Sequence, residues 1–154
     1  MNWRCDYRGW HFHIGLSRSV KASGVCSDIG NGKHILMWDF DNVPGGDVVY
    51  ALSEVQEKHR LSAIHLINTG LPQHYHAYCF TAREWPQVLY ILADTKFLDE
   101  IYFKIGVIRG FFTLRYSNKK GRRFSEEAIL ASAIPQDVDP LQLTHLVKYW
   151  TKRL

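Results

Sequence analysis

Apolar residues recur along the chain with two different periods, and the period predicts the type of each element. Val48, Leu52 and Val55 have helical spacing and predict a helix over 47–60. Alternating or continuous short apolar runs, bounded by Gly, Pro or Asn, predict strands. The segments with such strand patterns are 10–16, 34–41, 61–68, 73–80, 97–103 and 111–116.

Two further helices are predicted from capping signals. Thr81 and Glu84 form a capping-box pattern ahead of the helical face Trp85, Val88, Leu89 and Leu92. Asp139-Pro140 has the residues of a cap and first position, and predicts a final helix over 139–154. The segment 17–33 is rich in Ser, Gly and Lys and predicts a long loop.

The central elements run strand, helix, strand, strand, helix, strand, which is the order of a split βαβ, RRM-like sheet. With 154 residues, 46% of them hydrophobic, the chain suffices for one core and is too short for two. We therefore expect a single α+β domain over 1–154 with flanking helices. Its parts would be an N-terminal αβ extension (a strand and loop over 1–33), an RRM-like core over 34–124 and the helix over 139–154.

Charged residues interrupt every apolar stretch, so no run approaches a membrane-spanning length. The N-terminus also lacks the apolar core of a signal peptide. We therefore expect an intracellular protein with no membrane partner. Cys5, Cys26 and Cys79 are an odd number without Cys-x-x-Cys spacing, which predicts free thiols.

The most informative motif is the apolar run that ends in Asp39-Phe40-Asp41. Alternate side chains of a strand share a face, so Asp39 and Asp41 are expected to point the same way. Two carboxylates on one face repel each other, and a divalent cation relieves that cost. Hard oxygen ligands suit Mg²⁺ or Mn²⁺. Two unrelated acids at a strand end would give the same pattern.

A basic segment lies near the predicted strand 111–116. The net charge is only +4, but residues 109–123 contain six basic residues and no acid. Phe111, Phe112 and Tyr116 lie among them, a combination that suits phosphates and stacked bases. Arg115 shares a strand face with Thr113 and Ser117, where its guanidinium requires an anion, either a nucleotide or a protein carboxylate.

Histidines and acids near these strands are further candidates. His74 and His76 share one face of the strand over 73–80 and could hold a phosphate or a metal, or be solvated. Asp99 or Glu100 could bring a third carboxylate to the aspartate pair, or be ordinary surface acids.

In this order the motifs resemble the catalytic core of archaeo-eukaryotic primases and of plasmid and viral primase-polymerases. The shared features are the hydrophobic-Asp-x-Asp strand, a turn followed by Tyr75-His76, a later acid and a basic strand. The resemblance covers residues 35–123. The glycine that usually precedes Tyr-His is His74 here, and a zinc-binding stem and a helicase domain are absent from this sequence.

The resemblance implies a nucleotidyltransferase that uses two-metal phosphoryl transfer. Asp39, Asp41 and Asp99, or Glu100 in its place, would hold Mg²⁺ or Mn²⁺. The substrates would be nucleoside triphosphates and a single-stranded DNA template at a nucleoid, plasmid or viral replication site, with any helicase on a separate chain. Nucleotide contacts would come from His76, Arg115, Lys119 and Arg109. Nucleic-acid contacts would come from Lys120, Arg122 and Arg123.

Three alternatives stay open. A rolling-circle nicking endonuclease would use His74 and His76 as metal ligands and Tyr149, on a later helix, as nucleophile, but leaves Asp39 and Asp41 without a role. A PIN/NYN-type nuclease is suggested by residues 38–44 alone. An RRM-like single-strand binder without catalysis would use Phe111, Phe112 and Tyr116 as stacking platforms.

Overall fold

The computed structural model describes the backbone of residues 2–7, 10–15, 19–116, 123–140 and 146–152, and the side chains of 24–116 and 123–140. Within these residues the chain forms three helices and ten strands. The helices are α1 (Gly45–Lys58), α2 (Trp85–Ala93) and α3 (Glu100–Arg109). The strands are β1 (Asn2–Tyr7), β2 (Trp10–Gly15), β3 (Ser19–Cys26), β4 (Asp28–Gly30), β5 (Lys33–Asp41), β6 (Ile64–Asn68), β7 (His74–Glu84), β8 (Thr113–Arg115), β9 (Ser125–Leu130) and β10 (Leu146–Lys152).

The central sheet has the strand order β4-β5-β7-β6-β9, and every neighbouring pair in it is antiparallel. Because β5 and β6 are both antiparallel to β7, they run parallel to each other, and α1 makes the crossover between them. The expected α+β class with a mostly antiparallel sheet is therefore confirmed.

The two faces of the central sheet differ in character. The Trp38 indole donates to Thr95 Oγ1 beyond α2 at 2.9 Å, and the Tyr75 ring lies against Gly45 at the start of α1. These contacts place Trp38 and Tyr75 on the helix-covered face, where the core lies. Side chains alternate along strands, so Asp39 and His76 lie on the opposite face.

A second sheet, β10-β3-β8, is tied to the first through the buried Ser27. The Ser27 backbone N–H donates to the Phe112 carbonyl at 2.8 Å, and Ser27 Oγ accepts from the Phe112 N–H at 2.9 Å. The Ser27 carbonyl accepts from Ile35 at 2.9 Å. These bonds hold β8, which carries Thr113 and Arg115, beside β5.

The strand expected over 97–103 is wrong, because most of it belongs to α3. Asp99 is the N-cap, with its side chain accepting from the Tyr102 N–H, and Gly110 ends the helix at φ 77°. The segment between them is rich in β-branched and aromatic residues, whose intrinsic preference is for strands. Here the caps at both ends decide the conformation.

The helix expected over 139–154 and the loop expected over 17–33 are also wrong, for a shared reason. The backbone of β10 pairs with β3 from Leu146↔Val25 to Lys152↔Ser19. Each segment is stabilised as a strand by a partner more than a hundred residues away, which local patterns do not reveal. Position 149 therefore lies on a strand, and the described residues before β5 contain strands only, not an αβ unit.

The other central elements agree with the expected ones within a few residues. The expected cap of α2 is shifted, because Thr81 lies in β7 and Glu84 is the N-cap, in a capping box with Gln87. Cys26 and Cys79 are buried free thiols, as expected, and the Cys5 side chain lies outside the described residues. Within the described parts of the chain, no helix combines the length and apolar character required to cross a bilayer.

Gly106 of α3 provides a test of how this helix docks. A Cβ atom at position 106 would lie 2.0 Å from Cε1 of Phe112, far inside van der Waals contact. We expect Gly106→Ala to lower the free energy of unfolding by about 1–3 kcal/mol, because the steric clash outweighs the better helix propensity of alanine. Equilibrium denaturation would measure the change.

The matched control is Gly46→Ala in the first turn of α1, where a Cβ would meet no atom within 4 Å. This variant should be neutral or more stable by up to about 1 kcal/mol. Phe112→Leu should partly rescue Gly106→Ala in a double-mutant cycle. Equal stability of the two single alanine variants would contradict the docking of α3 on Phe112.

Candidate functional site

Two aspartate–histidine pairs face each other across β5 and β7. Asp39 is directly opposite His76, and Asp41 is directly opposite His74. His74 Nδ1 lies 2.5 Å from Asp41 Oδ1, and His76 Nε2 lies 3.5 Å from Asp39 Oδ1. The two aspartates therefore share a face, as the Asp-x-Asp spacing predicted, and a histidine accompanies each of them.

The chain fixes this register at the strand ends. Asn42 leaves β5 with φ 60°, and Gln73 enters β7 with φ 60°. Between these two turns the Val43 N–H donates to the Gln73 carbonyl at 3.0 Å. Asparagine tolerates the left-handed region better than most residues, so Asn42 suits the point where β5 must end directly after Asp41.

His76 is held as a neutral imidazole at neutral pH. Burial lowers the pKa of His76 from 6.5 to about 4, with the Arg115 carbonyl and the Asp41 charge only partly offsetting it. Its ring packs edge-on against Phe124 at a centroid distance of 5.5 Å. A neutral imidazole can donate a hydrogen bond from one ring nitrogen and accept one, or ligate a metal, through the other.

The paired residues line a cavity of about 250 Å³, here called the Asp/His cavity. Arg115 of β8 reaches the same cavity, so four residues to which the resemblance assigns metal or nucleotide binding come together there: Asp39, Asp41, His76 and Arg115. The other described lining residues are Thr69, Leu71, His74 and Phe124. A cation and two carboxylates therefore meet in one space, a combination suited to a phosphate that arrives with a divalent metal.

A second cavity of about 250 Å³ is also lined by Asp39. Asp99 and Arg109 line it together with Phe111 and Thr113. Glu100 does not line it: this residue is exposed and pairs with Lys104 at 2.8 Å. Of the two adjacent acids that the sequence left open, Asp99 is thus the one close to Asp39.

Asp99 has a structural task as well. Its Oδ1 accepts from the Tyr102 N–H at 2.5 Å as the cap of α3, and its own N–H donates to the Asp39 carbonyl at 2.9 Å. The Tyr102 hydroxyl donates to the Met37 carbonyl at 3.1 Å. The start of α3 is thereby attached to β5 at the position of the aspartate motif.

The side chains that could ligate a metal can be compared with the coordination that Mg²⁺ requires. No cluster of three or more His, Cys, Asp or Glu side chains suited to an ion occurs among the described residues. Mg²⁺, however, is commonly bound through one or two carboxylates, with waters and substrate phosphates completing its shell. Asp39 and Asp41, 24% and 50% exposed, have the oxygen chemistry and the access for that mode of binding.

The other basic residues expected to contact nucleotide or nucleic acid are either exposed or outside the described residues. Arg109 and Arg123 are exposed, whereas Lys119, Lys120 and Arg122 lie outside the described residues. Phe112 is 1% exposed and packs in the core, so its expected role as a stacking platform is wrong. Phe124 was not predicted from the sequence, because its contact with His76 depends on the non-local pairing of β9 with β6.

The chain matches no protein-family model, no curated protein and no solved structure.

The buried neutral His76 leads to a prediction on pH. Its pKa is lowered in the folded state, so the unfolded state binds the proton more tightly, and stability should fall as the pH drops from 6.5 towards 4. Protonation of His76 lowers the free energy of unfolding by about 3 kcal/mol at most. Chemical denaturation across this range, with a chelator present, should show a steeper loss for the wild type than for His76→Gln.

Burial also lowers the pKa of His34, so His76→Gln should keep part of the slope. Identical pH dependence of wild type and variant would contradict the buried, neutral state of His76.

Proposed function

We propose that the protein is a primase-polymerase-like nucleotidyltransferase that acts on nucleoside triphosphates with a single-stranded DNA template. The observation that carries the proposal is the Asp/His cavity, where Asp39, Asp41, His76 and Arg115 meet. These are the residues to which the resemblance assigns metal and nucleotide binding, and they come from three separate strands.

The strand order supports the RRM-like part of the proposal. In the central sheet β5, β7 and β6 are neighbours, with α1 crossing from β5 to β6 and α2 following β7. This is the arrangement of the first three strands in a split βαβ sheet. Beside β5, the place of a fourth strand is taken by β4, which precedes β5 in the chain.

Each side chain has a role that follows from its place. Asp39 and Asp41 would hold Mg²⁺ or Mn²⁺, and such ions neutralise the developing charge of phosphoryl transfer. His74, against Asp41, orients that carboxylate. Arg115 offers its guanidinium to phosphate oxygens, and the neutral His76 donates its one N–H to the Arg115 carbonyl, which holds β8 at the cavity.

The second cavity would hold the other reactant. Asp39 lines both cavities, so a group bound near Arg109 and Asp99 would lie next to a metal that Asp39 holds. The Arg109 guanidinium suits the phosphate backbone of a primer or template strand. A strand bound there would bring its attacking hydroxyl towards the same metal that would contact the transferred phosphate.

The nicking-endonuclease alternative has one observation in its favour. His74 and His76 do share a face with two acids, as a metal site with histidine ligands requires. The nucleophile of this alternative, Tyr149, was expected on a helix, whereas position 149 lies in the strand β10. The alternative also gives Asp39 and Asp41 a less specific role, so it remains second.

The decisive test is Asp39→Asn combined with Asp41→Asn. We expect incorporation of labelled nucleotides on primed and unprimed single-stranded DNA to fall at least about 100-fold, because charge neutralisation through the metal is lost. Asparagine is nearly isosteric and should preserve the fold. Chelation of Mg²⁺ and Mn²⁺ should abolish the wild-type activity.

The control is Glu57→Gln, which removes one carboxylate charge at an exposed position of α1 and should retain full incorporation. Retained incorporation in the folded double variant would overturn the proposal. Cleavage of the template with a covalent adduct, abolished by Tyr149→Phe, would favour the nicking endonuclease instead.

A further inference from the structure

A larger cavity of about 440 Å³ lies on the same sheet face as the Asp/His cavity, one step further along β7. Tyr78 and Phe80 form its floor, since side chains 74, 76, 78 and 80 share a face of β7. Tyr116 and Phe124 line it as well. We call it the aromatic cavity. Its volume is in the range of small-molecule sites, which are commonly apolar with a few polar groups.

The aromatic cavity adjoins the Asp/His cavity, because the two share a lining residue. Phe124 lines both, and its ring is in edge contact with His76. On β8, Arg115 lines the Asp/His cavity and the next residue, Tyr116, lines the aromatic one. Along β7, the step from His76 to Tyr78 is roughly 6–7 Å.

We propose that the aromatic cavity binds the base of a nucleotide whose phosphates lie in the Asp/His cavity. This inference rests on the proposed function and adds a base subsite to it. The phosphates and base of one nucleotide are separated only by its sugar, so they can occupy two adjoining spaces of opposite character. Charged residues line the first space, and aromatic side chains line the second.

The cavity also has polar groups suited to the edge of a base. His65 is the cross-strand neighbour of Tyr78, and its Nδ1 lies 3.7 Å from Glu126 Oε2. His65 packs edge-on against Phe80 at a centroid distance of 5.6 Å. Ser125 adds a hydroxyl at the exposed margin. These polar groups on β6 and β9 therefore lie at the margin of the cavity, beside a base stacked on its aromatic side chains.

The test introduces a bulky side chain at the margin of the aromatic cavity, where its ring would occupy the space of the base. Ser125→Trp places a large ring at an exposed position of β9 without removing a core residue. The probe is 2-aminopurine deoxyriboside triphosphate with Mg²⁺, whose fluorescence is quenched on stacking. We expect Ser125→Trp to weaken its binding at least about tenfold, because stacking on aromatic side chains is lost. Binding of inorganic tripolyphosphate, which has no base, should change by less than about twofold.

Two further variants make the result decisive. Glu127→Trp adds the same ring on the same strand outside the described lining of the cavity, and should bind the probe like the wild type. Tyr116→Ala, at a residue 43% exposed, removes one stacking ring and should weaken quenching even where Ser125→Trp fails to fold.

Three outcomes would overturn the inference: wild-type binding of the probe by both cavity variants, equal affinity of the wild type for probe and tripolyphosphate, or quenching of 2-aminopurine only within an oligonucleotide.

Incorporation assays separate this inference from the proposed function. If folded Ser125→Trp incorporates nucleotides with an unchanged KM for the nucleoside triphosphate, the base subsite is wrong and the proposed function stands. If the cavity variants weaken quenching of the probe but the wild type incorporates no nucleotide, the base subsite stands and the proposed function fails.

Discussion

The antiparallel register between β5 and β7 is the constraint on which the site depends. It places Asp39 opposite His76 and Asp41 opposite His74, and it places Trp38 and Tyr75 on the face that packs against the helices. A shift of one residue would turn the aspartates into the core and the indole towards solvent. The burial of Trp38 and Phe40, both fully buried, therefore fixes the position of the polar pairs.

This coupling explains how two carboxylates can be tolerated beside an apolar sheet. Their repulsion is reduced because Arg115 adds a cation at the same cavity and His74 Nδ1 forms a hydrogen bond with Asp41. His76 is neutral at neutral pH, so it contributes hydrogen bonding without compensating the full charge. The remaining negative charge is what a divalent cation would neutralise.

Local patterns were sufficient for β5, α1, β6, β7 and α2, because each has a clear period and boundary residues at its ends. The Asp-x-Asp spacing also correctly predicted a shared face. The same reasoning failed for α3, where β-favouring residues lie between strong caps, and for β3 and β10, which depend on each other across the chain. Arg115 was predictable from alternation, whereas Phe124 was not, because its approach to His76 requires the distant pairing of β9 with β6.

One of the misassigned elements, α3, builds the second cavity next to Asp39. Capping by Asp99 and the hydrogen bond from its N–H to the Asp39 carbonyl anchor the helix to β5. The close approach of Gly106 to Phe112 sets the depth at which the helix docks. Arg109, one turn further on, is thereby brought to the cavity that Asp39 also lines. A strand in this segment would have supplied neither the cap nor that placement of Arg109, so the second cavity at Asp39 depends on the helix.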